Sequence, residues 1–216
     1  MDSPWFALLE ASDAESEVHA RERFEAILGE ALEAGESSDA VIAENITQSK
    51  ALWHLRESIT LAQAEAGRSI KHDVSIPISR IADFVRDTDA LLQQRFPGLQ
   101  VMPFGHLGDG NLHYNVVSGP DFGDADIVVN QAAIYECVHD SVQAFDGSIS
   151  AEHGVGQLKV GELPRYKSAH ELRLMARIKA ALDPRGLLNP GKVLPDRKST
   201  RLNSSHIQKS RMPSSA

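Results

Sequence analysis

Apolar positions recur along this chain at two periods, and the changes from one to the other mark out its elements. WFALLE (residues 5–10) and DAVIAE (39–44) are apolar runs of strand length, and both are expected to be strands, with a helix over 14–34 between them. Leu52, Leu55, Ile59 and Ala62 recur at three- to four-residue spacing, which predicts a helix that Gly67 ends. SIKHDVSIP (69–77) alternates instead: Lys71, Asp73 and Ser75 share one face, His72, Val74 and Ile76 the other, and Pro77 closes the strand. Ser79 is placed to cap a helix running through Phe84, Val85, Leu91 and Leu92 to Pro97 and Gly98. Residues 124–145 predict another helix, and Ser168 with Glu171 makes a capping box for a last one, which DPRG and NPGK end. Strand–helix–strand units combined with a hairpin predict an α+β fold, a ferredoxin-like α/β sandwich whose mostly antiparallel sheet is covered by helices.

The hairpin is MPFGHLGDGNLHYNVV (102–117), two β-like runs around Asp109-Gly110. A two-residue type I′ turn there pairs His106 directly with His113, from which two imidazoles reach one metal ion. Asn115, two residues on, shares that face. From the hairpin alone, a metal pair and two ordinary sheet histidines are equally good readings. GHLGDG is a poorer match to a phosphate-binding loop, because it lacks the Gly-Lys-Ser/Thr ending and leads into a strand, not a helix. In ISAEHGVGQLK (149–159), Glu152 would complete a set of two histidines and one carboxylate suited to zinc or another divalent metal. His153 beside it has the chemistry of a base, although a solvated turn also accounts for both residues. Arg56 and Thr60 are four apart and are expected on one helical face. For Arg56 a surface ion pair, and for Lys71 a solvent-facing position, are the commoner roles.

Charge and composition narrow the partners. A formal charge of −8 argues against nucleic acid, and the one cysteine, Cys137, allows no internal disulfide, so the cytoplasm is the expected compartment. No stretch approaches the ~20 apolar residues of a transmembrane helix. The end, DRKSTRLNSSHIQKSRMPSSA, has no apolar periodicity; residues 196–216 are expected to be disordered and resemble translated sequencing-adapter read-through. Residues 197–216 carry five basic and no acidic side chains, so the chain without them carries −13.

RESIT, KHDVSIP, FGHLGDGNLHYNV, SAEHGVG and LDPRGLLNPGKVLP stand in one order and spacing. In that arrangement the chain, over residues 5–195, resembles the C-terminal domain of FAD-linked oxidases of the vanillyl-alcohol-oxidase superfamily, on the side of D-2-hydroxyglutarate and D-lactate dehydrogenases. The resemblance implies one substrate and metal domain over 1–195. It also implies that His106, His113 and Glu152 hold a divalent metal, zinc in relatives of the D-2-hydroxyglutarate type. It assigns Arg56, Thr60, Lys71 and Asn115 to the anionic 2-hydroxy acid, and His153 to its hydroxyl as the base. These positions keep the residue types of the family. The NPGK segment lies near the flavin in such proteins, though here a plain turn accounts for it. FAD is held chiefly by a preceding domain with no counterpart here, so this chain is expected to be a fragment that depends on an upstream FAD domain and does not turn over alone. A homodimer is compatible with all of this. Two other readings are weighed beside it: a non-catalytic binding or assembly domain, and a self-contained metal-dependent hydrolase.

Overall fold

A computed structural model describes residues 5–195, in two compact units that divide between Glu65 and Ala66. The tail expected to be disordered lies outside the described residues.

The first unit is helical, with α1 (Glu17–Glu33), α2 (Ile46–Glu57) and α3 (Ile59–Ala66). Ser16 starts α1 by accepting the His19 N–H at 3.1 Å, and Asn45 starts α2 by accepting from Thr47 and Gln48. The two runs expected as strands, 5–10 and 39–44, are irregular. A strand needs a neighbour for its N–H and C=O groups, and among the described residues of this unit there is none. The first run is fastened by a side chain instead, the Trp53 indole N–H donating to Glu10 at 3.0 Å. The helix expected through Leu52 and Ala62 breaks at Ser58, whose hydroxyl donates to the His54 carbonyl at 2.7 Å, a back-bond that bends helices. Arg56 therefore lies in the last turn of α2 and Thr60 in α3, not on one continuous helical face as expected.

The second unit carries a four-stranded antiparallel sheet: β1 (Ser69–Ile70), β2 (Asp73–Ser75), β3 (Gln100–His106) and β4 (Asn111–Val117). Helices α4 (Ile81–Arg95) and α5 (Asp124–Ala144) follow β2 and β4, and α6 (Leu163–Tyr166) and α7 (Ala169–Leu182) close the described chain. β4 is central, with β3 on one side and β1 and β2 on the other. Ser69 pairs with Val117 and Asp73 with His113, a single register, so the expected strand over 69–75 exists with a gap at 71–72. Even in that gap His72 accepts the Tyr114 N–H at 3.0 Å. On its other edge Ser75 makes one isolated bridge to Ser148.

Alternation divides the sheet into two faces. Ile70, His72, Val74, Leu112, Tyr114 and Val116 are buried in the core with α4 and α5, where Phe84, Leu92, Ile134, Val138 and Val142 recur on one side of each helix. The Phe84 ring lies 5.3 Å from Tyr114 and 5.6 Å from Phe145, edge to face. Ser79 does not cap α4; it sits inside a short 3-10 turn, Ile78–Arg80, that starts at Pro77. The capping box of α7 is formed, Ser168 accepting the Glu171 N–H at 3.2 Å while Glu171 accepts the Ser168 N–H at 2.9 Å. Ser168→Ala should therefore cost about 1 kcal/mol in a urea titration, and an unchanged midpoint would show that the box adds no stability. Among the described residues no helix is long and apolar enough to cross a membrane.

Candidate active site

The other face of the sheet gathers the polar residues. Register sets them in rows: Asp73, His113 and Phe104 side by side, and Ser75, Asn111 and His106 in the next row. Asn115 pairs with Met102 in the row above, and the register of β1 and β2 brings Lys71 beside Asn115. Five polar positions from three strands thus stand on one face around His113.

The turn that builds this face differs from the expected one. Asp109 keeps a negative φ, and its carboxylate accepts the Asn111 N–H at 2.9 Å, so the residue does not take the left-handed conformation that a type I′ turn needs at both centres. A 3-10 turn, Leu107–Asp109, forms instead, closed by Gly110 at φ +76°. Gly110 is required there for a second reason, since a Cβ would stand 2.3 Å from the Ile76 carbonyl oxygen. The longer loop moves the register by two: His106 pairs with Asn111 and His113 with Phe104, not with each other. A two-residue shift preserves the face, so the histidines are diagonal neighbours, a relation that spans about 7–8 Å between backbones.

A loop, residues 150–153, lies against Asp73. One carboxylate oxygen, Oδ2, accepts the N–H of His153 at 2.9 Å, of Ala151 at 3.1 Å and of Glu152 at 3.2 Å, with the Ser150 hydroxyl at 3.5 Å. The other, Oδ1, accepts the Glu152 N–H at 3.3 Å. Burial opposes ionisation of this carboxyl, but the donors of His153, Glu152 and Ala151 outweigh it and hold its pKa below the usual Asp value. The loop start is held by Lys159, whose ammonium donates to the Ile149 carbonyl and whose pKa burial pushes down.

Held in this way, the loop brings Glu152 Oε1 to 3.2 Å from His113 Nε2 and 3.6 Å from His153 Nε2. The two imidazoles stack at 5.7 Å, and the Phe104 ring packs tilted against His113 at 4.9 Å. One ligand atom from each of Asp73, His113, Glu152 and His153 falls within 4.8 Å of all the others. Two ligands about 2.1 Å from one tetrahedral ion stand about 3.4 Å apart, so the His113–Glu152 spacing suits a shared divalent cation. The structure thus brings together His113, Glu152 and His153, while His106 stands one row away, outside that group. Arg56 and Thr60 belong to the first unit, where the Thr60 hydroxyl donates to the Glu57 carbonyl at 3.4 Å.

Comparison with known proteins assigns the family of the chain. The family of FAD linked oxidases, C-terminal domain, matches residues 2–193. The chain belongs to that family. This FAD-linked oxidase domain is 42% identical over 191 residues to the mitochondrial D-2-hydroxyglutarate dehydrogenase of Arabidopsis thaliana, covering 88% of this chain and 33% of that protein. It is also 42% identical over 192 residues to the D-2-hydroxyglutarate dehydrogenase of Xanthomonas citri pv. viticola, covering 88% and 40%. With the mitochondrial enzyme of Danio rerio it shares 36% identity over 197 residues, covering 90% and 35%. The chain thus spans between a third and two-fifths of the length of these relatives.

Within this FAD-linked oxidase domain, sequence reasoning passed over Asp73, which it read only as a strand residue on the face of Lys71. A signal was present: aspartate is depleted in strands, so one in the middle of an alternating run invites a search for donors.

Proposed function

We propose that this domain is the substrate and metal side of an FAD-dependent dehydrogenase that oxidises a D-2-hydroxy acid, of the D-2-hydroxyglutarate type, to the 2-oxo acid. The observation that carries the reading is the convergence of His113, Glu152 and His153 beside a sheet face that also bears Lys71 and Asn115. Lys71 is a cation for the carboxylate of the acid, and Asn115 offers it an amide donor. By the family resemblance Arg56 and Thr60 are also proposed to bind an acid, the guanidinium by a bidentate grip. His113 and Glu152, with His106 reaching in from the diagonal position, would hold a divalent metal, zinc by the nature of the donor set. When bound, such an ion supplies a Lewis acid for the substrate oxygens, and FAD, held by another domain, supplies the hydride acceptor. His153 takes the hydroxyl proton as hydride leaves the same carbon, so two electrons and one proton depart in hydride and a second proton reaches the imidazole.

The β-α-β-β-α order and the single Ser75–Ser148 bridge support a further reading: the second unit is a ferredoxin-like unit whose last strand is reduced to that bridge. In the first unit Trp5 and Phe6 are 60% and 72% exposed, and no residue of α1 or α2 is buried, a surface suited to cover by the remainder of a longer protein.

Titration of the 216-residue chain tests the proposal. It should bind one zinc ion and then D-2-hydroxyglutarate, with the acid binding only when zinc is present; a chain that binds no divalent metal overturns it. Lys71→Ala should weaken the acid by about 10- to 160-fold, the worth of one charge-assisted hydrogen bond at about 1.5–3 kcal/mol. Unchanged binding of the acid would remove Lys71 from the site.

A further inference from the structure

Asp73 has an oxygen within ligand reach of His113, Glu152 and His153, yet its hydrogen bonds say that it does different work. Oδ2 faces three consecutive backbone N–H groups, those of Ala151, Glu152 and His153, and the Ser150 hydroxyl adds a fourth donor. Such a run of N–H groups around one anion is a nest, and a carboxylate oxygen that fills it has its lone pairs committed. Turning that oxygen to a cation would leave the N–H groups without an acceptor beside a side chain only 5% exposed. Glu152, at 50% exposure, has no such commitment to the backbone and is the carboxylate of the pair that is able to move.

Asp73 is also tied to the other half of the site. It pairs with His113 across β2 and β4, so its backbone position is fixed by the same ladder that fixes the imidazole. The chain separation between Asp73 and His153 is 80 residues, and the carboxylate closes that separation directly. We propose that Asp73 is the positioning residue of this site: it is not a metal ligand but an anionic clamp that fixes the backbone of residues 151–153, and so sets Glu152 and His153 against His113. The role rests on the reading of His113 and Glu152 as metal ligands.

The test uses the full chain and Asp73→Asn, which keeps the size of the side chain but removes its negative charge and leaves the nest one acceptor oxygen, an NH2 taking the place of the other. Without metal, hydrogen exchange at the amides of 151–153 should quicken by about tenfold or more while amides of α4 and β4 keep their protection. Unchanged exchange at 151–153 overturns the clamp, whether or not the chain binds a metal. With cobalt(II) as the probe, affinity should fall by about 10- to 100-fold, the usual effect of losing a partner that orients a ligand. The visible spectrum of the cobalt-saturated variant should match that of the parent, because the ligand set is the same. A changed spectrum at saturation identifies Asp73 as a ligand and overturns the proposal. Asp73→Glu, which restores the charge, should recover part of both the amide protection and the cobalt affinity; should Asp73→Asn fail to fold, this variant carries the test, and protection or cobalt affinity at or below the level of Asp73→Ala would count against the clamp. Failure of the parent chain to take up cobalt refutes the metal reading and leaves the exchange result to decide the clamp.

Discussion

His113→Ala should lower the affinity of the proposed site for a divalent metal by more than about 100-fold, beyond the range seen for partners that only orient a ligand. Three features make this the most damaging single change at the site. His113 is the residue from which Glu152 Oε1 is 3.2 Å distant, it stacks on His153, and its ring packs against Phe104. On its own strand no neighbour replaces its nitrogen: Asn111 and Asn115, two residues away on the same face, present amides, which are poor ligands for zinc. Dehydrogenation by the FAD-containing protein should fall with the metal, whereas the fold should persist, because the lost side chain lies on the face opposite the Phe84 and Leu92 core. Competition with a chelator of known affinity measures the loss, and circular dichroism checks the fold. Retention of one metal ion per chain at parental affinity would remove His113 from the ligand set. His106→Ala is the informative companion, since register places His106 one row away and any metal role requires its side chain to reach across.

Much of this site is readable in the linear sequence because its parts are local. His106 and His113 flank one turn, Glu152 and His153 are adjacent, and the alternation of 69–75 already separates Lys71 and Asp73 from His72 and Val74. Helices α1, α4, α5 and α7 follow from local apolar spacing, and the start of α7 also from its capping box, for the same reason. What depended on distant partners was not readable. The register of the hairpin turned on whether Asp109 would adopt a positive φ, and its own side chain decided that by capping Asn111. Residues 5–10 and 39–44 have the apolar content of strands, but content supplies no partner strand. Asp73 owes its role to a loop 78–80 residues further along, a contact with no periodic trace.

Acidification from pH 6.5 to pH 3 should cost the metal-free chain roughly 4 kcal/mol of stability through His72 alone, a large share of what a domain possesses. His72 is fully buried; with its Nδ1–H donating to the Tyr114 carbonyl at 2.8 Å, Nε2 carries the lone pair and has no hydrogen-bond partner among the described residues. The ring packs among Tyr135 at 4.9 Å, His139 at 5.5 Å and Tyr114 at 6.5 Å. Burial, and after it the positive charges of His139 and Lys159, push its pKa down to about 3, against 6.5 in the absence of these surroundings. Above pH 6.5 folded and unfolded chains both hold His72 neutral, and its contribution is intact. Below that value the unfolded chain binds a proton that the folded chain refuses, so stability falls by about 1.4 kcal/mol per pH unit until the folded pKa is reached. His139, whose pKa burial lowers despite its 2.5 Å bond to Glu162, steepens the slope in the same direction. The depressed carboxylates, Asp73 and Asp183 among them, lose their contribution only once the unfolded acids begin to protonate near pH 4. Asp89, whose pKa burial raises, acts with the opposite sign, so it is the difference between the parent and a His72 variant from pH 6.5 to 4.5 that reports His72. Urea titrations across that interval, with chelator present, should show the slope for His72→Leu smaller than that of the parent by close to one proton. Equal slopes would mean that the buried imidazole takes up its proton as readily in the folded core as in water, which a ring enclosed by Tyr114, Tyr135 and His139 is not built to do.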